Sequence, residues 1–218
     1  MIGVDGTNGG WIVAARARGT IACWRIARFE ELFQESARPR VVAIDIPIGL
    51  PKSGARECDR AARKLLGPKR GTSVFPAPTR EMLAAKSRPA NMTVQSWGIR
   101  SKVLEVDLVL RRNAAAREVT HEVHPELCFY YMNGNAPIDA PKRKPEGEAE
   151  RLALLRAWSG GAIDQALART RQLTCQRDDV LDAFAALWTA ERIADGKAVT
   201  HPPNPELDSH GLAMSITA

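Results

Sequence analysis

Carboxylates occur in four segments of the chain where exposure to solvent is not the obvious explanation for them. Asp45 interrupts an apolar, β-branched run at residues 41–51 that is typical of a buried strand. A carboxylate that leaves water without a partner is strongly destabilised or shifts its pKa, so this position favours an open edge or a bound cation. The other acids are Asp5, Glu122, and the pair Asp179 and Asp182.

Several of these acids also have a purely structural interpretation. Asp5 precedes Gly6, and an aspartate there commonly organises a turn through hydrogen bonds to its own backbone. Asp178 suits the N-cap of a helix, where neighbouring acids interact favourably with the helix dipole. Asp182 lies a full turn further into that helix, where capping no longer needs a carboxylate. The helix therefore keeps Asp179 and Asp182 as functional candidates.

The acids depend on short strands for their positions. We predict a strand that ends at Asp5 and two more at 11–15 and 20–24, which together form an antiparallel meander. A short helix at 29–37 leads to the Asp45 strand, and this crossover implies parallel pairing with the first strand. Asp5 and Asp45 then lie on adjacent strands, where two carboxylates repel each other unless they are protonated or bridged by a cation.

The side chains available as ligands indicate which cation would bind. Carboxylate oxygens, without a Cys-x-x-Cys pair or a paired-histidine motif, favour Mg²⁺ or Mn²⁺ over zinc. Two such ions about 4 Å apart activate a water and stabilise the leaving oxygen of a phosphodiester, which requires several carboxylates at one place. The acidic segments therefore indicate a two-metal hydrolysis of phosphodiester bonds.

Most of the remaining chain is predicted to be helical. We interpret residues 53–116 as a mainly helical insertion within a single domain that spans 1–218. The elements predicted after it are a strand at 119–124, helices at 125–132, 148–158 and 178–195, and an irregular tail beyond His201.

The composition sets wider limits on function. At 218 residues and 44% apolar content, the chain is large enough for one sizeable core. Its formal charge of +6 fits a polyanionic partner such as nucleic acid, and it equally fits an ordinary basic protein. The four cysteines lie far apart, which favours free thiols. No stretch reaches the roughly 18 apolar residues of a membrane span, so we expect a cytoplasmic protein without membrane contact.

A series of short motifs extends along nearly the whole chain. They are Gly3 to Gly6 with Gly10 and Trp11, Ala43 to Pro51, Arg56 to Arg63, Glu122 to Glu126, and Asp178 to Ala183. In their order the chain resembles the predicted RNase H-like nucleases, also described as the domain of unknown function 429, within the ribonuclease H-like superfamily.

That resemblance implies an α/β fold of the ribonuclease H-like type, with a five-stranded mixed sheet flanked by helices. The active site would lie where the first and fourth strands meet a C-terminal helix. The metal-binding and catalytic set that the resemblance implies is Asp5, Asp45, Asp179 and Asp182, with Glu122 as an additional catalytic acid. The expected cofactor is Mg²⁺ or Mn²⁺, and the expected substrate is RNA, DNA or a hybrid, with the oligomeric state left open.

The insertion at 53–116 has no counterpart in the simple superfamily core. We predict that its arginines, Arg56, Arg60 and Arg63, bind substrate phosphates from one face of a helix. The alternative is a solvated amphipathic helix in which Asp59 pairs with Arg63.

Two residues close to Glu122 are second choices for the site. His124 is the only histidine near the proposed acids, and a lone histidine beside a strand is more often structural than a ligand. Glu126 would instead cap the helix that begins at Pro125.

Two alternatives to the nuclease use the same fold. One is a nucleotide- or nucleic-acid-binding protein without hydrolytic turnover. The other is an ATP-binding domain, because Val4 to Gly10 also resembles the first phosphate loop of sugar kinases and actin-like ATPases. Those proteins need a second phosphate loop and a duplicated domain, and 218 residues hold only one copy.

Overall fold

The computed structural model describes residues 1–34 and 39–218 as an α/β fold with a central five-stranded sheet in the order β3-β2-β1-β4-β5. Its strands are β1 (Ile2–Thr7), β2 (Gly10–Ala17), β3 (Thr20–Ile26), β4 (Val42–Ile44) and β5 (Thr120–Glu122). β1, β2 and β3 form an antiparallel meander, and β4 pairs in parallel with both β1 and β5. The predicted mixed sheet is therefore confirmed.

Helices cover both faces of this sheet. Those between β4 and β5 are α1 (Glu57–Arg70), α2 (Arg80–Ala84), α3 (Val94–Gly98), α4 (Arg100–Arg112) and α5 (Ala114–Val119). Those after β5 are α6 (Pro125–Met132), α7 (Pro145–Ser159), α8 (Ala162–Leu167), α9 (Thr170–Leu173) and α10 (Arg177–Ala194). The helical character predicted for 53–116 and the helix at 125–132 are thus confirmed.

Other predicted elements differ from the structure in extent. Instead of a helix at 29–37, Phe29–Phe33 form a 3₁₀ helix, and residues 35–38 lie outside the described residues. The tail is not wholly irregular, because β6 (Thr200–His201) pairs with β7 (Ile216–Thr217). Such short elements carry too few residues for a periodic pattern to show in the sequence.

The alternation of side chains along β4 directs Asp45 to the face of the sheet that packs against α10. Ile12 and Ala43 belong to the core that packs against α10, whereas Val42 and Ile44 pack against α4 on the other face. Because successive side chains alternate, Asp45 shares the face of Ala43. The carboxylate is therefore directed towards α10.

Close contact between α10 and β1 depends on Gly3. A Cβ at this position would lie 2.1 Å from the backbone nitrogen of Leu187 and 2.3 Å from the carbonyl oxygen of Ala183. Any side chain there would push the helix away from the strand, since both contacts are with backbone atoms. The glycine thus brings Asp182, the neighbour of Ala183, close to Asp5 on the same face of the sheet.

In the described part of the chain, no helix is both long enough and apolar enough to cross a bilayer.

Candidate functional site

Three carboxylates from distant parts of the chain meet at the end of β4. Asp45 directly follows this strand, and its backbone N–H donates a hydrogen bond of 3.2 Å to the carbonyl of Val4, the residue before Asp5. Asp182 approaches from α10. All three acids line one cavity of about 510 Å³. The structure therefore brings together the first strand, the fourth strand and the C-terminal helix around these residues.

Burial and mutual repulsion make these acids difficult to ionise. Burial, together with the charges of Asp182, Asp45 and Asp179, raises the pKa of Asp5 well above its usual range. Burial also raises the pKa of Asp45. For Asp182, burial raises the pKa to about 6 although Lys142 opposes that shift. The cluster thus holds more negative charge than its protein surroundings compensate.

Lys142 brings a positive charge into the cluster from the loop between α6 and α7. Its ammonium lies 2.9 Å from Oδ2 of Asp182 and 3.6 Å from Oδ2 of Asp178. The charge of Asp182 is the main cause that raises the pKa of Lys142, so the lysine remains protonated. The sequence marks this loop as basic, but no periodic pattern indicates that it lies beside the acids.

Asp179 lies at the edge of the cluster and already has two hydrogen-bond donors. Its Oδ2 accepts from the Thr7 hydroxyl at 2.7 Å and from the backbone N–H of Gln176 at 2.9 Å. The second contact satisfies an amide that the start of a helix leaves unpaired. Because α10 begins at Arg177 with Gln176 as its N-cap, the assignment of the N-cap to Asp178 is wrong.

Glu122, the predicted additional catalytic acid, lies in a buried ion pair. Arg56 donates to its two oxygens at 2.6 and 2.7 Å, and the backbone N–H of Ile48 donates at 2.6 Å. Arg56 also pairs with Asp59 at 2.7 Å. These contacts hold the segment after β4 against β5 and α1. A role of Glu122 in catalysis stays a prediction, although the residue also lines the cavity.

The three arginines predicted to bind substrate do not share one exposed helical face. Arg56 precedes α1 and is only 3% exposed, whereas Arg60 and Arg63 are exposed. Arg63 donates to the carbonyl of Val74 at 2.8 Å. The single arginine face is therefore wrong, because Arg56 compensates buried acids instead of meeting solvent. In the alternative interpretation Asp59 pairs with Arg63, but in the structure it pairs with Arg56.

His124 and Glu126 both have structural partners. Nδ1 of His124 accepts a hydrogen bond from the backbone N–H of Glu126 at 3.2 Å and so caps α6, and its Nε2 lies 3.3 Å from the Ser73 carbonyl. Glu126 contacts Arg70 and Arg151, each at 2.8 Å. Although burial opposes it, Arg151 and Arg70 lower the pKa of Glu126. His124 therefore caps α6 instead of Glu126, so the predicted cap is wrong, and Glu126 binds two arginines.

The insertion contributes Lys102, which sequence reasoning missed. This residue of α4 packs on Gly6, where a Cβ would lie 2.6 Å from its Cδ. Its ammonium donates to the carbonyl of Gly10 and lies 4.2 Å from the ring centroid of Trp11. Lys102 also lines the cavity that contains the acids. A lysine on an amphipathic helix usually faces solvent, so its sequence position alone does not indicate this placement.

The oxygen donors of this cluster suit a hard divalent cation such as Mg²⁺ or Mn²⁺. A cation would relieve the repulsion that contributes to the raised pKa values of Asp5 and Asp182. As the side chains stand, residues 1–34 and 39–218 contain no group of three or more His, Cys, Asp or Glu placed to hold a metal ion. Binding therefore requires the carboxylates to turn towards one point and Lys142 to give way.

Fold and site together define an α/β protein with a buried acidic centre at the end of its sheet. The chain belongs to the family described as protein of unknown function (DUF429), whose model matches residues 3–207. The match includes every acid of the site, and it confirms the family predicted from the motifs. No curated protein and no solved structure matches the chain.

Proposed function

We propose that the protein is a divalent-metal-dependent nuclease that hydrolyses phosphodiester bonds of nucleic acid. The observation that carries this proposal is the crowding of Asp5, Asp45 and Asp182 in one cavity, where these three carboxylates have no arginine partner among residues 1–34 and 39–218. Crowded carboxylates are destabilising unless a cation compensates them, so their presence favours a cation-dependent chemistry.

The ribonuclease H-like fold is part of the same proposal. In its support, β1 to β3 form an antiparallel meander, β4 is parallel to β1, and the acids follow from β1, β4 and α10. This is the strand order and site position that the resemblance implies.

In the proposed reaction, Asp5, Asp45 and Asp182 hold Mg²⁺ or Mn²⁺, and Asp179 completes the set from the start of α10. When bound, two such ions supply an activated water and stabilise the leaving oxygen. The chain's own contribution is to orient the substrate and to exclude bulk water. The same cavity is lined by basic side chains whose positive charge attracts the phosphate of the substrate. They are Lys102, Lys142 and Arg143.

The test is a panel of RNA, DNA, hybrid and branched substrates incubated with Mg²⁺ or Mn²⁺. Asp45→Asn removes one charge at nearly constant size, and we expect it to lower the rate by more than about 100-fold, the upper range for changes around a metal site. Asp139→Asn is the matched control, because Asp139 is an exposed aspartate that pairs with Lys69. Equal cleavage by the two variants would refute the assignment.

Two other outcomes favour the competing functions. If Mg²⁺ stabilises the protein and nucleic acid binds but no substrate is cut, the chain is a binding protein without turnover. If calorimetry shows tight ATP binding that depends on Gly6 to Gly10, the phosphate-loop alternative gains.

A further inference from the structure

The cavity has a second wall that differs from the acidic one. The insertion supplies it with apolar side chains, of which Phe75 is 39% exposed and Ile99 is 37% exposed. Exposed apolar surface at the mouth of a polar cavity is a feature of ligand sites, because a ligand covers it. The wall therefore offers an aromatic ring and an aliphatic side chain to the apolar part of a ligand.

Polar groups without partners lie beside this apolar surface. Gln95 and Arg143 line the same cavity and are exposed. Among residues 1–34 and 39–218, neither side chain makes a hydrogen bond or an ion pair within the chain. The Gln95 amide offers both a donor and an acceptor, and the Arg143 guanidinium offers a fork of donors that matches a phosphate.

We infer that this wall binds an unpaired nucleotide, so that the substrate of the proposed nuclease is single-stranded nucleic acid and not a duplex. The inference rests on the proposed function for the identity of the ligand. Phe75 stacks on the base, Gln95 meets its hydrogen-bonding edge, and Arg143 binds a phosphate near the acids.

The dimensions of the cavity favour a single nucleotide over a duplex. A volume of about 510 Å³ lies in the range of small-molecule sites, about 300–1,000 Å³. In a duplex the bases are stacked and paired inside two strands, and none offers a free face to Phe75. A base outside a helix has a free face that can stack on Phe75.

The first experiment measures binding and does not depend on cleavage. Fluorescence anisotropy with Asp45→Asn in Mg²⁺ compares a labelled single-stranded oligonucleotide with the same strand annealed to a DNA or an RNA complement. We expect the single strand to bind at least about 10-fold more tightly than either duplex. Unlabelled mononucleotide as competitor then separates the two sources of an unpaired nucleotide, since only a strand gains from contacts beyond one nucleotide.

The second experiment tests Phe75 in the same Asp45→Asn background. Phe75→Ala should weaken single-strand binding by about 10-fold, because base–aromatic stacking is lost, and Phe75→Trp should keep it. Leu104→Ala is the matched control, because Leu104 is 41% exposed on α4 and lies outside the cavity lining. Equal binding of duplex and single strand, or equal effects of Phe75→Ala and Leu104→Ala, would overturn the inference.

The two proposals fail in different ways. Cleavage of duplexes that Phe75→Ala leaves unchanged would overturn the single-strand site and leave the nuclease intact. Selective single-strand binding without cleavage by the parent protein would support the site and count against the nuclease.

Discussion

Two groups of buried or partly buried carboxylates line the same cavity, and they differ in their partners. Glu122 and Glu126 each contact an arginine, at 2.6 and 2.8 Å respectively. Asp5 and Asp45 have no arginine or lysine within 4.0 Å in the part of the chain that the structure describes, and Asp182 has only Lys142. The two glutamates thus have fixed arginine partners inside the fold, whereas the aspartates have none among residues 1–34 and 39–218.

This difference separates structural acids from functional candidates better than burial does. Glu122 and Asp182 are nearly equally buried, at 6% and 5% exposure. A planar guanidinium from a helix start or a helix interior binds both oxygens of a carboxylate and fixes it. A lysine on a loop makes a single contact, which a metal or a phosphate displaces more easily.

The largest effect should come from breaking a paired group. Arg56→Met removes the cation between Glu122 and Asp59, and we expect a loss of about 3–5 kcal/mol in the free energy of unfolding by urea, as for other broken buried pairs. Asp5→Asn in EDTA is the comparison, and it should leave stability equal or higher because it relieves repulsion. If both variants were destabilised equally, the two groups of acids would not differ.

A pH dependence of stability is expected from Asp182 in the unpaired group and from Glu122 in the paired group, because burial also raises the pKa of Glu122, to about 7 despite the opposing charge of Arg56. Asp182 has a pKa of about 6 in the folded protein against 3.8 ordinarily, so the folded state binds its proton more tightly than the unfolded chain. The free energy of unfolding without metal therefore falls as pH rises from about 4 to about 6, by about 3 kcal/mol from this residue. Urea titrations across this range measure it. Asp182→Asn should lack the part of the fall that Asp182 contributes, and an unchanged slope would contradict the prediction.

Metal should stabilise the protein through the same acids. At a Mg²⁺ concentration of about 100 times Kd, binding to the folded state alone adds about 2.7 kcal/mol. Thermal unfolding with increasing Mg²⁺ measures this gain. Asp45→Asn should abolish it, and Asp164→Asn, which alters an exposed acid paired with Arg156, should retain it. A gain that survives Asp45→Asn would place the ion elsewhere.

The smallest effect should come from Asp179, an acid of the proposed metal-binding set that also accepts two structural hydrogen bonds. Asp179→Ala removes the acceptor of the Thr7 and Gln176 hydrogen bonds and should cost about 1 kcal/mol, as for the loss of a helix cap. Asp178→Ala is the control, because Asp178 lies one residue away and its contact with Lys142 is 3.6 Å. Equal urea midpoints for both variants would show that the two bonds contribute nothing.

The parts that could be predicted from the sequence depend on local periodicity. Alternation and a strand-helix-strand crossover were enough to predict that Asp5 and Asp45 lie on adjacent strands, and helical spacing was enough to predict α10. The partner of Glu122 could not be predicted, because Arg56 is distant in sequence and reaches it only through the path of a loop. The position of Lys142 beside Asp182 could not be predicted either, because a basic loop carries no periodic pattern that indicates where it lies in the fold.

The acids of the site come from opposite ends of the chain, Asp5 from β1 and Asp182 from α10. During synthesis, the ribosome releases β1 long before α10, and domains acquire their packing only as their last elements emerge. A nascent chain that ends before α10 therefore presents two carboxylates at an open sheet and no completed centre. The proposed activity would therefore depend on the release of α10 from the ribosome.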